Sequence, residues 1–109
     1  MSVPYNRVGH HPLESTAYEQ IDVGSLVKGL SPTVYGASGL EPPKLAIVNV
    51  ARTGVGVRFR ADGTDPTSKL GTPVGPGGRI AVWGRRDISR VKFSMRESGL
   101  ATLDVEYFA

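Results

Sequence analysis

The stretch GVGVRFRADGTDPTSKLGTPVGPGG, from Gly54 to Gly78, has the makings of a phosphate-binding glycine loop. It starts with Gly-x-Gly, carries Lys69 and closes on Gly-Pro-Gly-Gly. A P-loop requires Gly-x-x-x-x-Gly-Lys followed by Ser or Thr, so that backbone amides surround a phosphate where a helix begins. Between Gly63 and Lys69 the spacing is wrong, no glycine precedes the lysine, and LGTPVGPGG cannot open a helix. The dinucleotide pattern Gly-x-Gly-x-x-Gly fails at Phe59, where its third glycine should stand. The segment therefore reads as two exposed turns. Asp62 and Gly63 supply the backbone angles that strand formers resist.

Other reactive residue types are similarly placed without a partner set. Asp62, Thr64 and Asp65 could offer oxygens to a cation, but an EF-hand loop needs a longer series ending in glutamate. His10 and His11 are adjacent, so their side chains diverge, and they are the chain's two histidines. A metal-binding cupin would distribute histidines over its strands. There is no cysteine, which excludes disulfides and thiolate metal sites, and there is no Gly-x-Ser-x-Gly nucleophile turn. Spacing alone leaves a two-carboxylate glycosidase open for Asp104 and Glu106, but strand register gives both a simpler role, as follows. The expectation is a protein that is not an enzyme, with no catalytic residue, cofactor or metal site.

Three segments that would position these residues alternate without error, as half-buried strands do. In VGVRFRA, Val55, Val57 and Phe59 oppose Gly56, Arg58 and Arg60. In SRVKFSM, Val91, Phe93 and Met95 oppose Arg90, Lys92 and Ser94. In ATLDVEY, Ala101, Leu103, Val105 and Tyr107 oppose Thr102, Asp104 and Glu106. A helix over 85–98 competes for the second segment, since Ile88, Val91 and Met95 fit helical spacing; strand is favoured because Phe93 would leave that stripe. KLAIVNVA (44–51) is apolar on both faces and predicts a strand covered on both sides. GRIAVWG (78–84) is a shorter strand, and LSPTVYG (30–36) and YEQIDV (18–23) are weaker ones.

If Met95 opposes Ala101, RESGL (96–100) forms a hairpin turn of accepted length. Lys92 then lies opposite Asp104, and Arg90 opposite Glu106. Each such cross-strand pair contributes about 0.2–1 kcal/mol.

Glycine and proline, 14 and 8 of 109 residues, interrupt the chain too often for long helices. Five to seven short strands predict an all-β fold: a small antiparallel β-sandwich, jelly-roll-like. Residues 1–16 hold Pro4, Gly9 and Pro12 and show no alternation, so they are expected to form an extended N-terminal arm before one domain over 17–109. No apolar run is long enough for a signal-peptide core or a membrane span, so a soluble product with no membrane partner is expected.

The net charge is +3, and residues 55–109 carry all of the excess, with nine basic and six acidic side chains. Arg58, Arg60, Arg79, Arg85 and Arg86 have no assigned acidic partner. A basic sheet face could bind phosphates, yet single-strand binders interleave cations with exposed aromatics. Here Phe59 and Phe93 point inward, leaving Trp83 as the aromatic with a case for exposure. A solvated or subunit-contacting face is the preferred reading, and nucleic acid is not favoured as a partner.

The run VGVRFRADGTDPTSKLGTPVGPGGRIAVWGRRDISRVKFSMRESGLATLDVEYF resembles a recurrent pattern in small virion proteins of tailed bacteriophages. A strand ending in Arg-Phe-Arg enters an Asp-Gly-x-x-Pro-Thr turn; a glycine-rich loop, a strand and a last strand ending in aromatics follow. The likeness covers about residues 44–108, and DGTDPTSKLG is its most specific part. It implies a β-sandwich on the capsid surface of a virion, synthesised in the host cytoplasm. The implied role is that of a decoration or cement protein, a homotrimer that clamps the phage major capsid protein lattice. Expected partner-binding residues are Tyr5, Arg7, His10 and His11 of the arm, with Arg58, Arg60 and Trp83. A tail or head–tail structural protein is one alternative. The other is a carbohydrate-binding attachment module using Trp83 or Tyr35.

Overall fold

Among the described residues, period-2 alternation and frequent turns produce eight strands and two short helices. A computed structural model of the chain describes residues 13–109. In chain order the elements are β1 (Ser15–Val23), β2 (Lys28–Gly29), α1 (Pro32–Tyr35), β3 (Leu45–Val50), β4 (Val57–Arg60), β5 (Thr72–Val74), β6 (Arg79–Trp83), α2 (Arg85–Arg90), β7 (Lys92–Met95) and β8 (Ala101–Phe108). They form two antiparallel sheets. The first has the order β1-β8-β3-β6 and the second β2-β7-β4-β5. The first strand thus pairs with the last, the second with the seventh, the third with the sixth and the fourth with the fifth.

Both sheets direct their apolar residues into one core. From the first sheet come Ile21, Val23, Ala46, Val48, Val50, Ile80, Val82, Ala101, Leu103, Val105 and Tyr107; from the second come Val57 and Phe93. The four inward residues expected on β8 are all fully buried. Val57 and Phe93 are fully buried as well, and Val55 and Phe59 pack against the core half-buried. Burying each large apolar side chain is worth about 1.5–3 kcal/mol, so this core carries most of the stabilisation.

The structure departs from expectation in several places. Residues 85–98 contain both competing elements. Gly84, at φ +92, stops β6, and one and a half turns of helix follow. Ile88 is buried from α2, whereas Val91 has extended angles and begins the alternation that β7 continues. LSPTVYG is a single helical turn and not a strand. Ser31 precedes it, Pro32 supplies a helical φ at its first position, and the Gly36 N–H closes on the Pro32 carbonyl at 2.8 Å.

The third departure is the β7–β8 hairpin, which does not form. β7 pairs with β2 and β4, whereas β8 pairs with β1 and β3. Residues 96–100 carry the chain from one sheet to the other, turning through Gly99 at φ +140. Alternation specifies which face of a strand is buried, and two strands satisfy it equally by lying side by side or by facing each other across a core. Lys92 accordingly pairs with Asp65 at 3.1 Å, and the Arg90 guanidinium donates to the Asp62 carbonyl. Neither expected cross-strand ion pair exists.

β1 begins at Ser15, inside the stretch expected to be an arm. Before it, Glu14 and Ala109 exchange backbone hydrogen bonds of 3.1 and 3.0 Å. The remainder of the expected arm, residues 1–12, lies outside the described residues.

Candidate interaction surface

The two sheets differ in what covers their outer faces. Over the second sheet lies the chain's own loop, residues 61–71. Arg58 donates to the Ser68 carbonyl at 3.0 Å and to that of Gly71 at 2.9 Å. Arg60 pairs with Asp62 at 2.6 Å, and the Lys92–Asp65 pair and the Arg90 contact hold the same loop. Pro66, within the loop, is fully buried. Beside Arg58 on this face, Ser94 is 7% exposed, and its hydroxyl finds no partner among the described residues.

The same contacts settle what Asp62–Asp65 do locally. One Asp62 oxygen accepts from the Thr64 N–H at 3.1 Å and from its hydroxyl at 2.6 Å. The Thr64 hydroxyl and then Arg60 hold the Asp62 carboxyl well below the usual carboxylate range. Gly63, at φ +87, completes the turn. Both aspartates are engaged within the chain, and no cluster of three or more metal-ligating side chains exists among the described residues.

The outer face of the first sheet is graded along its strands. Strand register aligns Gln20, Asp104, Asn49 and Arg79 in one row. Asp104 accepts from Gln20 at 3.1 Å and from the Tyr18 hydroxyl at 2.7 Å, and Arg79 donates to Asn49 at 3.0 Å. The bond to Asp104 raises the Tyr18 phenol above its ordinary value. Glu106, in the next row, accepts from Ser15 at 2.7 Å and lies level with Ile47 and Ala81. The last row is Ser15, Phe108, Leu45 and Trp83. Leu45 is buried between Phe108 and Trp83, and Trp83 itself is 61% exposed. The face therefore passes from a hydrogen-bonded polar ladder at one end to an apolar row at the other.

A cavity of about 450 Å³ opens at this apolar end. It is lined by Tyr35 and Gly36 at the close of α1, by Leu40, Pro42 and Pro43 leading into β3, and by Arg85, Arg86 and Ser89 of α2. The Gly84 N–H donates to the Lys44 carbonyl at 2.8 Å, which fixes the two lining segments side by side. Burial, and then the nearby Glu19, raises the Tyr35 phenol. The Tyr35 ring packs on Tyr107, centroids 5.2 Å apart.

Of the residues expected to bind a partner, Tyr5, Arg7, His10 and His11 lie outside the described residues. Arg58 and Arg60 hold the loop on the second sheet, and Trp83 stands on the first, so the structure does not bring these three together. Trp83 instead joins Leu45 and Phe108, neighbours the sequence did not single out. The signal for Leu45 and Ile47 was present in KLAIVNVA, whose second apolar face here points away from the core. No comparable signal linked Tyr35 to Arg85 and Arg86, which are distant in the chain.

These features define an all-β protein of two antiparallel sheets, one face closed by its own loop and the other open and apolar at one end. Comparison with protein-family models, with curated proteins and with solved structures found no match to the chain.

Proposed function

We propose that this chain is a virion structural protein of a tailed bacteriophage, a decoration or cement protein that binds the coat lattice as a homotrimer. The single observation that carries this reading is the Trp83–Leu45–Phe108 row, an apolar edge of the first sheet on which Trp83 stands exposed beside half-buried Phe108 and buried Leu45. Apolar surface of this kind marks interaction sites. The strand order 1-8-3-6 over 2-7-4-5 supports a β-sandwich of jelly-roll type, the architecture the phage-like pattern implies. Residues 1–12 attach at Leu13, next to the Glu14–Ala109 pair and so at the Phe108 end of the sheet.

Sedimentation equilibrium at two salt concentrations, followed by co-sedimentation with capsids, tests the proposal. A stable trimer of roughly 35 kDa that decorates capsids supports it, closed cyclic symmetry being suited to a lattice position. Trp83→Ala should weaken capsid binding. A monomer that never binds capsids would overturn it.

The exposure of Trp83 also favours a second reading, a carbohydrate-binding attachment module with the indole as its platform. Quenching of the chain's single tryptophan by glycans separates the two.

A further inference from the structure

The cavity at the end of the first sheet combines two chemistries. Leu40, Pro42, Pro43 and Tyr35 are its apolar and aromatic lining residues, whereas Arg85 and Arg86 are its two cationic ones. Its volume, about 450 Å³, lies within the range of sites that enclose small groups. No carboxylate lines it, and Glu41 and Asp87, the nearest in sequence, stand outside. Among the described residues neither arginine enters an ion pair. A guanidinium is a planar fork matched to a carboxylate, and a pair of them without a counter-charge favours an anion.

We propose that this pocket receives an acidic side chain from an extended segment of a partner polypeptide. One of the adjacent guanidiniums of Arg85 and Arg86 takes the carboxylate and the other adds positive potential, since neighbouring helical side chains diverge, while Tyr35, Pro42 and Pro43 pack against its methylenes and flanking backbone. Aromatic and apolar grooves suit extended, proline-containing peptides in this way. The inference rests on the reading that the chain binds a protein partner, and it adds the chemistry recognised. An acidic sugar fits less well. Its hydroxyls need acceptors, and the lining contains no Asp, Glu, Asn or Gln. A bare phosphate would leave the apolar lining uncovered.

The test is an amide-shift titration of the ¹⁵N-labelled full chain. The probes are N-acetyl-Pro-Glu amide, its Pro-Gln counterpart, glucuronate and inorganic phosphate. The glutamyl peptide should give saturable shifts at Gly36, Arg86 and Ser89, with the glutaminyl peptide at least about tenfold weaker. Arg85→Ala/Arg86→Ala should abolish the response while the remaining amides stay in place, and the double lysine variant should recover part of it. Equal binding of both peptides, tighter binding of glucuronate or phosphate, no saturable response, or an unchanged response in the alanine variant would each overturn the proposal. Capsid co-sedimentation keeps the two readings apart. Decoration without a peptide response removes the pocket alone, whereas a peptide response without decoration removes the capsid role and leaves the pocket.

Discussion

The Glu19 carboxylate of β1 accepts a hydrogen bond from the Tyr107 hydroxyl of β8, 88 residues away in the chain. The same oxygen accepts from the Ser31 N–H at 3.0 Å, tying the start of α1 to the first sheet. Glu19 stands on the inward row with Ile21 and Val23, where a carboxylate is tolerated because two donors meet it. Tyr107 is fully buried apart from this bond.

Removing either partner should therefore destabilise the chain. Tyr107→Phe and Glu19→Ala are each expected to cost about 1–3 kcal/mol in urea unfolding. Because the residues touch, the double variant should cost less than the sum, by at least about 0.5 kcal/mol. Strict additivity would mean that the bond does not form in solution.

Alkaline pH provides a second readout. Burial first, and then the Glu19 bond, raises the Tyr107 phenol above its ordinary value of 10.0, and Tyr35 is raised by burial and then by the nearby Glu19 charge. Above pH 10 the unfolded chain releases protons that the folded chain keeps, so this stabilisation is complete below pH 10 and is lost as pH rises through the folded value. The loss should approach about 1.4 kcal/mol per pH unit for one such phenol. Tyr107→Phe should flatten the decline in stability measured by unfolding from about pH 9 to about pH 12.

Acid should act on the loop over the second sheet. Asp62 is held below its ordinary 3.8 by Thr64 and then Arg60. Its contribution is present above that ordinary value and is lost as pH falls through the lower folded one. The protection factor of the Thr64 amide, taken against the intrinsic exchange rate at each pH, should therefore fall under acid while β8 amides remain protected. Asp62→Asn should accelerate Thr64 exchange at neutral pH.

Lys92 discriminates between the two registers. A double-mutant cycle with Asp65 should give a coupling of at most about 1 kcal/mol, as exposed ion pairs do. The cycle with Asp104 should give none, because the two side chains belong to different sheets. Coupling to Asp104 would restore the hairpin.

Ser94→Ala should be neutral or stabilising by up to about 1 kcal/mol, since it removes a buried hydroxyl without a partner among the described residues. Leu103→Ala, in the packed core, should instead cost about 2–5 kcal/mol. Thermal or denaturant midpoints of the two variants provide the comparison.

Strand identity was legible wherever a strand has one wet face: β8 alternates along its whole length, and Val57 and Phe93 are the fully buried inward residues of β4 and β7, although outward Ser94 is buried too and inward Met95 and Phe59 are only half-buried. Pairing was not legible, because a strand's partner depends on contacts far along the chain, and Phe93 satisfies its alternation facing β8 as well as beside it. The helical turn at Pro32 was hidden by the β-forming Thr33, Val34 and Tyr35, local preferences that Ser31 and Pro32 overrode. Arg58 looked free because its partners are loop carbonyls, which no charge count reveals, whereas Arg60 does have an acidic partner, Asp62, two residues on across the turn. Of the candidate surface, Trp83 was visible as an odd aromatic, while its row required the register of three strands.

Placing β8 between β1 and β3 has a consequence for biosynthesis. As the chain leaves the ribosome, β1 and β3 emerge with their inner edges unpaired, and the strand that joins them follows all seven other described strands. Until then the first sheet has no centre, and the apolar faces of β1 and β3 have only nascent neighbours. Long-range pairing of this kind slows folding and prolongs the exposure of sticky edges. Ribosome-bound chains stalled before Ala101 should therefore remain protease-sensitive and recruit chaperones, with protection arriving in one step once β8 clears the tunnel.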